Sequence, residues 1–135
     1  MGHDRNRGRD YVFVYGTLMS GHGNHFYLHN SRFLGNGEVH GLALYDVTSC
    51  FPGAVREKRC TLLGEVYEVN FKTMTALDRL ESNGFLYKRE KFPVILEGKQ
   101  CVTAWVYIWM RRVKGCKVPK ELQPWGKGKL VCNLN

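Results

Sequence analysis

Apolar and polar positions along the chain fall mostly into short stretches with strand character. Residues 11–15, Tyr-Val-Phe-Val-Tyr, form a β-branched and aromatic run of the kind found in buried strands. The run stops at Gly16-Thr17-Leu18-Met19, and Ser20-Gly21-His22-Gly23 prolongs the break. A short helix is predicted over 24–30, a turn within 33–38, and a strand over 39–47. Phe51-Pro52-Gly53 reads as a second turn, and 62–69 alternates cleanly enough to be a strand. The strongest helix is predicted over 73–81. Thr73 would cap it, Met74, Leu77 and Leu80 share one face, and Ser82-Asn83-Gly84 closes it. Two further strands, 87–96 and 100–110, flank a turn at Glu97-Gly98-Lys99. About six strands and one clear helix, in an order that is not βαβα, predict an α+β fold with a mixed or antiparallel sheet. Curling into a small barrel is one closure open to such a sheet.

Composition narrows the class. The 135 residues are 44% hydrophobic and 24% charged, a globular balance sufficient for one domain. The longest unbroken apolar run, 104–110, is seven residues, against the roughly 20 that a spanning helix needs. Residues 1–10 carry charge with no apolar stretch behind them, so a flexible N-terminal segment and a cytoplasmic location are expected. Residues 11–135 are expected to form a single, monomeric domain. Its five cysteines, Cys50, Cys60, Cys101, Cys116 and Cys132, show neither a CxxC pair nor zinc-ribbon spacing. They read as buried or half-buried free thiols in a reducing compartment.

The net charge of +8 is concentrated in one place. From Arg111 to Lys129 there are seven basic residues against one acid, Glu121, so this segment carries most of the excess. No nucleic-acid-binding motif accompanies it, and Pro119 and Pro124 interrupt any long basic helix. A solvated basic surface is therefore expected, with neither nucleic acid nor membrane as a partner.

Two constellations have chemical potential. The first is the strand-to-loop junction Tyr15-Gly16-Thr17-Leu18. A strand ending in Gly can turn sharply and leave successive N–H groups to converge on an anion or oxyanion, although an ordinary turn has the same composition. The second is Leu77-Asp78-Arg79-Leu80-Glu81, in which Asp78 and Glu81 stand three apart on the helix. At a helix C-terminus the dipole disfavours negative charge, which would raise the pKa of Glu81 and suit it to act as a general base. The rival reading is an exposed glutamate on a helix end. His22, His25 and His29 have helical spacing but lack the glutamate of HExxH, and no metal is assigned to them. Trp105, Tyr107 and Trp109 share a face at period two and read as core. Tyr87 and Arg89 read as cavity lining or sheet wall, and Pro52-Gly53 as a turn at a pocket mouth.

Taken in order, Val12-Phe13-Val14-Tyr15-Gly16-Thr17-Leu18, Phe33-Leu34-Gly35, Tyr45-Asp46, Phe51-Pro52-Gly53, Gly64-Glu65-Val66-Tyr67, Leu77-Asp78-Arg79-Leu80-Glu81 and Tyr87-Lys88-Arg89 resemble the γ-glutamylcyclotransferase-like family. The resemblance spans roughly residues 11–110, and its most specific parts are the YGTL loop and the LDxxE helix end. It implies a small mixed β-barrel of about six strands with short flanking helices. It also implies that Glu81 is the proton acceptor and that Tyr15, Gly16, Thr17 and Leu18 hold a γ-glutamyl group. The family usually has Gly after that glutamate; here it is Ser82. The implied reaction is cyclisation of a small γ-glutamyl amine or amide to 5-oxoproline, in which the α-amine of the substrate attacks its own γ-carbonyl. Such a reaction needs no cofactor, no metal and no side-chain nucleophile. The alternative is a non-catalytic binding module of the same fold.

Overall fold

The computed structural model describes residues 9–48 and 51–126. Six strands and one α-helix lie there: β1 (Arg9–Val14), β2 (Arg32–Asp46), β3 (Pro52–Asn70), α1 (Phe71–Leu80), β4 (Tyr87–Leu96), β5 (Cys101–Trp109) and β6 (Lys117–Val118). Short 3-10 turns occupy His25–Leu28, Glu97–Lys99 and Lys120–Leu122. The α+β expectation is met by a mixed six-stranded sheet with a single helix. Neighbours pair antiparallel, except that β5 runs parallel to β1 and β3. The pairings lead from β1 through β3, β2, β4 and β5 back to β1. The apolar faces enclose one core, in which Phe13, Leu42, Leu62, Leu77, Val94 and Val106 are fully buried.

The two longest strands differ most from the sequence expectation. β2 passes through 33–38, which reads as a turn in sequence, and β3 begins at Pro52 rather than near Leu62. The glycines behind the first reading have another use. A Cβ on Gly37 would come within 2.7 Å of Val94 Cγ1, so the glycine marks close approach of β4 rather than a reversal. Gly41, at φ +92°, sits in a register shift between His40 and Leu42 and bends β2 without ending it. Pro52 and Gly53 likewise open a strand. A Cβ on Gly53 would meet Trp109 Cβ at 2.8 Å, which leaves room for nothing larger.

Helix α1 starts two residues earlier than Thr73. Asn70 is its N-cap, and its side chain accepts the Thr73 N–H at 2.8 Å. Met74 and Leu77 are buried against the sheet. At the other end Ser82 N–H donates to the Arg79 carbonyl (3.2 Å) and Asn83 N–H to that of Asp78 (2.9 Å). These are the two bonds of a Schellman motif, with Glu81 as the C-cap and Ser82 in the left-handed region at φ +51°. The family's glycine would occupy that backbone state without a Cβ penalty.

The N-terminal expectation divides at the boundary of the description. Residues 1–8 lie outside the described residues, whereas Arg9 and Asp10 are already in β1, paired with Asn70 and Val69. The basic segment is described as far as residue 126, so Lys127 and Lys129 lie outside. Within it, β6 joins the edge of β2, and Lys117 pairs with Glu57. Gln123, buried, accepts from Leu63 N–H (2.9 Å) and donates to the Thr61 carbonyl (3.2 Å), and Trp125 is 2% exposed. The segment is therefore fastened to the domain, not only a solvated surface. Cys60 is half-buried, but Cys101 and Cys116 are exposed because they sit at the start of β5 and just before β6; Cys50 and Cys132 lie outside the described residues. Among the described residues no helix is long and apolar enough to cross a membrane.

Replacing Ser82 by Gly should relieve the left-handed strain and stabilise the fold by about 0.5–1 kcal/mol. A higher midpoint of thermal unfolding than wild type, with an unchanged circular-dichroism spectrum, is the expected result.

Candidate active site

A cavity of about 390 Å³ opens between the end of β1, the start of β3 and the C-terminus of α1. Tyr15, Gly16, Thr17, Leu18 and Glu81 all line it, although the loop and the helix end are more than sixty residues apart in sequence. Phe13, Phe51, Pro52, Leu80 and Leu86 make most of the remaining wall apolar. Among the described residues no lysine or arginine lines it.

The loop is held by its carbonyl side. Gly16 C=O accepts from Met19 N–H (3.1 Å) and Thr17 C=O from Asn24 N–H (2.9 Å). Leu18 C=O is 2.9 Å from His25 Nδ1, which must carry the hydrogen because a carbonyl can only accept. Asn24 Nδ2 adds a bond to Thr17 Oγ1 at 2.9 Å. Among the described residues none of the loop's backbone hydrogen bonds uses the N–H groups of Gly16, Thr17 or Leu18. Three successive donors thus remain for a ligand in the cavity that the loop lines. Gly16 is not in a positive-φ conformation. It is glycine because the Pro52 ring stands 3.0 Å from where a Cβ would be, so close packing rather than turn geometry fixes its identity.

The hydroxyl of Tyr15 serves the wall. It donates to the Tyr107 carbonyl (2.6 Å) and accepts from Ala54 N–H (3.0 Å). Tyr87 closes the same corner by donating to the Pro52 carbonyl at 2.7 Å. Burial raises the pKa of Tyr15, Tyr87 and Tyr107, so all three stay neutral hydroxyls.

The two carboxylates of the helix end have opposite environments. Asp78 faces away from the cavity and accepts from Arg89 Nε (2.7 Å), Arg89 Nη2 (3.1 Å) and Tyr107 OH (2.6 Å). Burial alone would raise its pKa, but the Arg89 and Tyr107 hydrogen bonds prevail and hold it below the usual value. Glu81 has no side-chain hydrogen-bond partner among the described residues, and its pKa is raised to about 7 by burial. The cause is desolvation in the cavity, acting on a carboxylate that sits at the helix C-cap as the sequence reading placed it. Opposed pKa values in neighbouring carboxylates mark separate duties, one structural and one available for proton transfer.

Several contributors were not evident in sequence. Asn24 and His25 pin the loop, yet nothing in their neighbourhood signals it, and helical spacing had suggested a shared face for His22, His25 and His29. Instead His22 stacks on Trp125 with ring centroids 5.3 Å apart, and His29 Nδ1 contacts the Phe26 carbonyl at 2.8 Å. Among the described residues no three His, Cys, Asp or Glu side chains are grouped to hold a metal ion. Tyr107 belongs both to the core, as its period-two spacing suggests, and to the cavity wall. Its stripe partners Trp105 and Trp109 are only half-buried. Tyr87 lines the cavity, but Arg89 does not.

Gly16→Val should drive side-chain carbons against Pro52 and displace the loop, weakening ligand binding in this cavity at least tenfold in a folded protein. Calorimetric titration with thermal unfolding as control checks this. Glu81 also predicts a pH signature in stability. Between the ordinary carboxylate range and about 7 the folded protein keeps a proton that the unfolded chain releases, so stability falls as pH rises through that window. Glu81→Gln should match wild type near pH 4 and exceed it by roughly 2 kcal/mol at pH 8, after discounting for partial solvent access. Denaturant unfolding at both pH values measures it.

Comparison with known proteins identifies the family and agrees with the fold. The family model described as "Gamma-glutamyl cyclotransferase, AIG2-like" matches residues 12–127. A protein of Methanocaldococcus jannaschii, provisionally named a γ-glutamylcyclotransferase, is 41% identical over 103 residues, covering 74% of this chain and 84% of its own. The γ-glutamylcyclotransferase family protein YtfP of Escherichia coli is 34% identical over 107 residues, covering 79% and 88%. Among solved structures, an AIG2-like protein from Mus musculus superposes with a TM-score of 0.65 at 27% identity, covering 75% of this chain and 77% of that one. An uncharacterised Pyrococcus horikoshii protein gives 0.66 at 29%, covering 81% and 85%. With its loop, helix end and sheet in place, this chain belongs to the AIG2-like γ-glutamylcyclotransferase family.

Proposed function

We propose that this protein is a cyclotransferase that releases 5-oxoproline from a small γ-glutamyl amine or amide. The observation that carries the reading is Glu81: a carboxylate that has no hydrogen-bond partner among the described residues, in the same cavity as a loop whose three N–H groups are unused among them. The substrate α-amine is an ammonium at neutral pH and cannot attack. Glu81, with a pKa of about 7, is matched to take that proton. The freed amine then attacks the γ-carbonyl carbon, a new C–N bond closes the five-membered ring, and negative charge collects on the carbonyl oxygen. N–H groups from Gly16 to Leu18 serve both to hold the glutamyl group and to stabilise that oxyanion. As the tetrahedral intermediate collapses, the original C–N bond breaks and protonated Glu81 gives its proton to the leaving amine. The regenerated carboxylate then takes the second proton from the ring nitrogen, which leaves neutral 5-oxoproline, and passes it to the released amine as ammonium.

Orientation supplies much of the acceleration, because the glutamyl chain must be folded back for attack. No cofactor, metal ion or side-chain nucleophile enters the scheme. With no basic side chain on its wall among the described residues, the cavity best suits a leaving amine that has no carboxylate of its own to be paired. Its scaffold, in which the strand pairings return to their starting strand, acts as a small barrel, and the protein works as one cytoplasmic domain.

A panel of γ-glutamyl amines and γ-glutamyl amino acids, assayed for 5-oxoproline, tests the reading. Wild type should turn over at least one member, and Glu81→Gln should lower kcat by at least ~100-fold with a much smaller effect on ligand affinity. For wild type kcat/KM should rise with pH through about 7, the ionisation of Glu81 in the free enzyme, and this rising limb should be missing in Glu81→Gln. An inactive wild type across the panel favours the non-catalytic binding module.

A further inference from the structure

Among the described residues the Glu81 carboxylate has no hydrogen-bond partner, so beyond the bond from its own N–H to the Leu77 carbonyl (2.9 Å) its placement comes from what holds the backbone on either side. Both sides lead to Arg89. Its guanidinium grips Asp78, three residues before Glu81, through Nε (2.7 Å) and Nη2 (3.1 Å). Its backbone N–H donates to Asn83 Oδ1, two residues after Glu81, at 3.0 Å. Tyr107 sits directly opposite Arg89 in the β4–β5 register and adds a 2.6 Å bond to the same Asp78 carboxylate. The Arg89 guanidinium in turn lies 4.4 Å from the centroid of the Trp105 ring, which limits its freedom. One strand residue thus brackets the helix end by side chain and main chain, without reaching the cavity.

We infer that Asp78 and Arg89 form a positioning pair for Glu81: the bidentate ion pair sets where the carboxylate stands and balances the charge beside it. The inference rests on the reaction proposed above, in which Glu81 moves the proton. Arg89 cancels the negative charge of Asp78 one helical turn from Glu81, so removing one partner would leave an uncompensated charge there, positive without Asp78 and negative without Arg89. Other titratable groups around the site are Tyr15 after β1, Glu65 and Tyr67 on β3, Tyr87 on β4, Tyr107 on β5 and His25 in the adjoining turn. Of these, Glu65 bonds to Tyr67 and Ser20 N–H, and His25 to Leu18 C=O. None substitutes for the fork between Arg89 and Asp78.

The test compares Asp78→Asn, Arg89→Gln and Arg89→Lys with wild type, by 5-oxoproline kinetics against pH and by thermal unfolding. Each variant should lose roughly 10- to 100-fold in kcat, because a displaced base is a poorly aligned one, while KM changes less. Asp78→Asn should move the Glu81 titration down by roughly one pH unit, and Arg89→Gln should move it up by a similar amount. Arg89→Lys keeps the charge but not the fork, so it should lose rate with little movement of the titration. The same titration is available without turnover, from the pH dependence of the stability difference between each protein and its counterpart that also has Glu81→Gln. If wild type releases no 5-oxoproline, the reaction fails, and the pair is then judged on that titration: opposite shifts uphold it, and equal or absent shifts overturn it. In an active protein, folded variants with wild-type kcat and an unmoved titration overturn it as well.

Discussion

A buried carboxylate is costly to ionise unless something hydrogen-bonds it, and here two carboxylates at one helix end meet that constraint differently. Asp78 takes three hydrogen bonds from two adjacent strands and remains ionised. Glu81, one turn later, takes none among the described residues, and its proton affinity rises to near neutrality. Much of the surrounding architecture follows from keeping these two apart. The Schellman end of α1 stops the helix with Glu81 as its last capped residue, and β4 and β5 hold Asp78 away from the cavity.

The opposite wall solves a complementary problem. A ligand with developing negative charge needs donors that the protein has not already used, and a loop supplies them only if its backbone is fixed some other way. Residues 16–18 are fixed through their carbonyls, by Met19, Asn24 and His25, which leaves the N–H groups uncommitted. Pro52 packs against Gly16 and ties this loop to the start of β3, while Tyr87 anchors Pro52 through its carbonyl. Glu81 and the loop therefore line one cavity within a connected framework, which is what the proposed intramolecular attack would require.

Much of this was legible in the sequence, and the failures have physical causes. Period-two alternation and β-branched runs located β1, β4 and β5 closely, because those strands carry few glycines. β2 and β3 were misjudged because glycine has two meanings. Gly37 and Gly53 serve close strand approach, and composition cannot separate this from turn formation. The helix was found, but its cap was displaced from Asn70 to Thr73, since both residues are good caps and only the start of packing decides between them. Glu81 and the Tyr15–Leu18 loop were identified and do share a cavity. Asn24, His25 and Arg89 act through long-range or backbone bonds that leave no periodic trace. The raised pKa of Glu81 was expected from its helix-end position, but its burial was not, because burial is a tertiary property that a helix position does not reveal.

The central claim is that Glu81 is a carboxyl group held near neutrality by its cavity. Carbon-13 NMR of protein labelled at the glutamate side-chain carboxyl reads this directly, with the Glu81 signal assigned by its loss in Glu81→Gln. The account predicts that one carboxyl resonance titrates with a midpoint near 7 in the ligand-free protein, well separated from the exposed glutamates. A Glu81 signal that titrates in the ordinary range near 4.5 would contradict it.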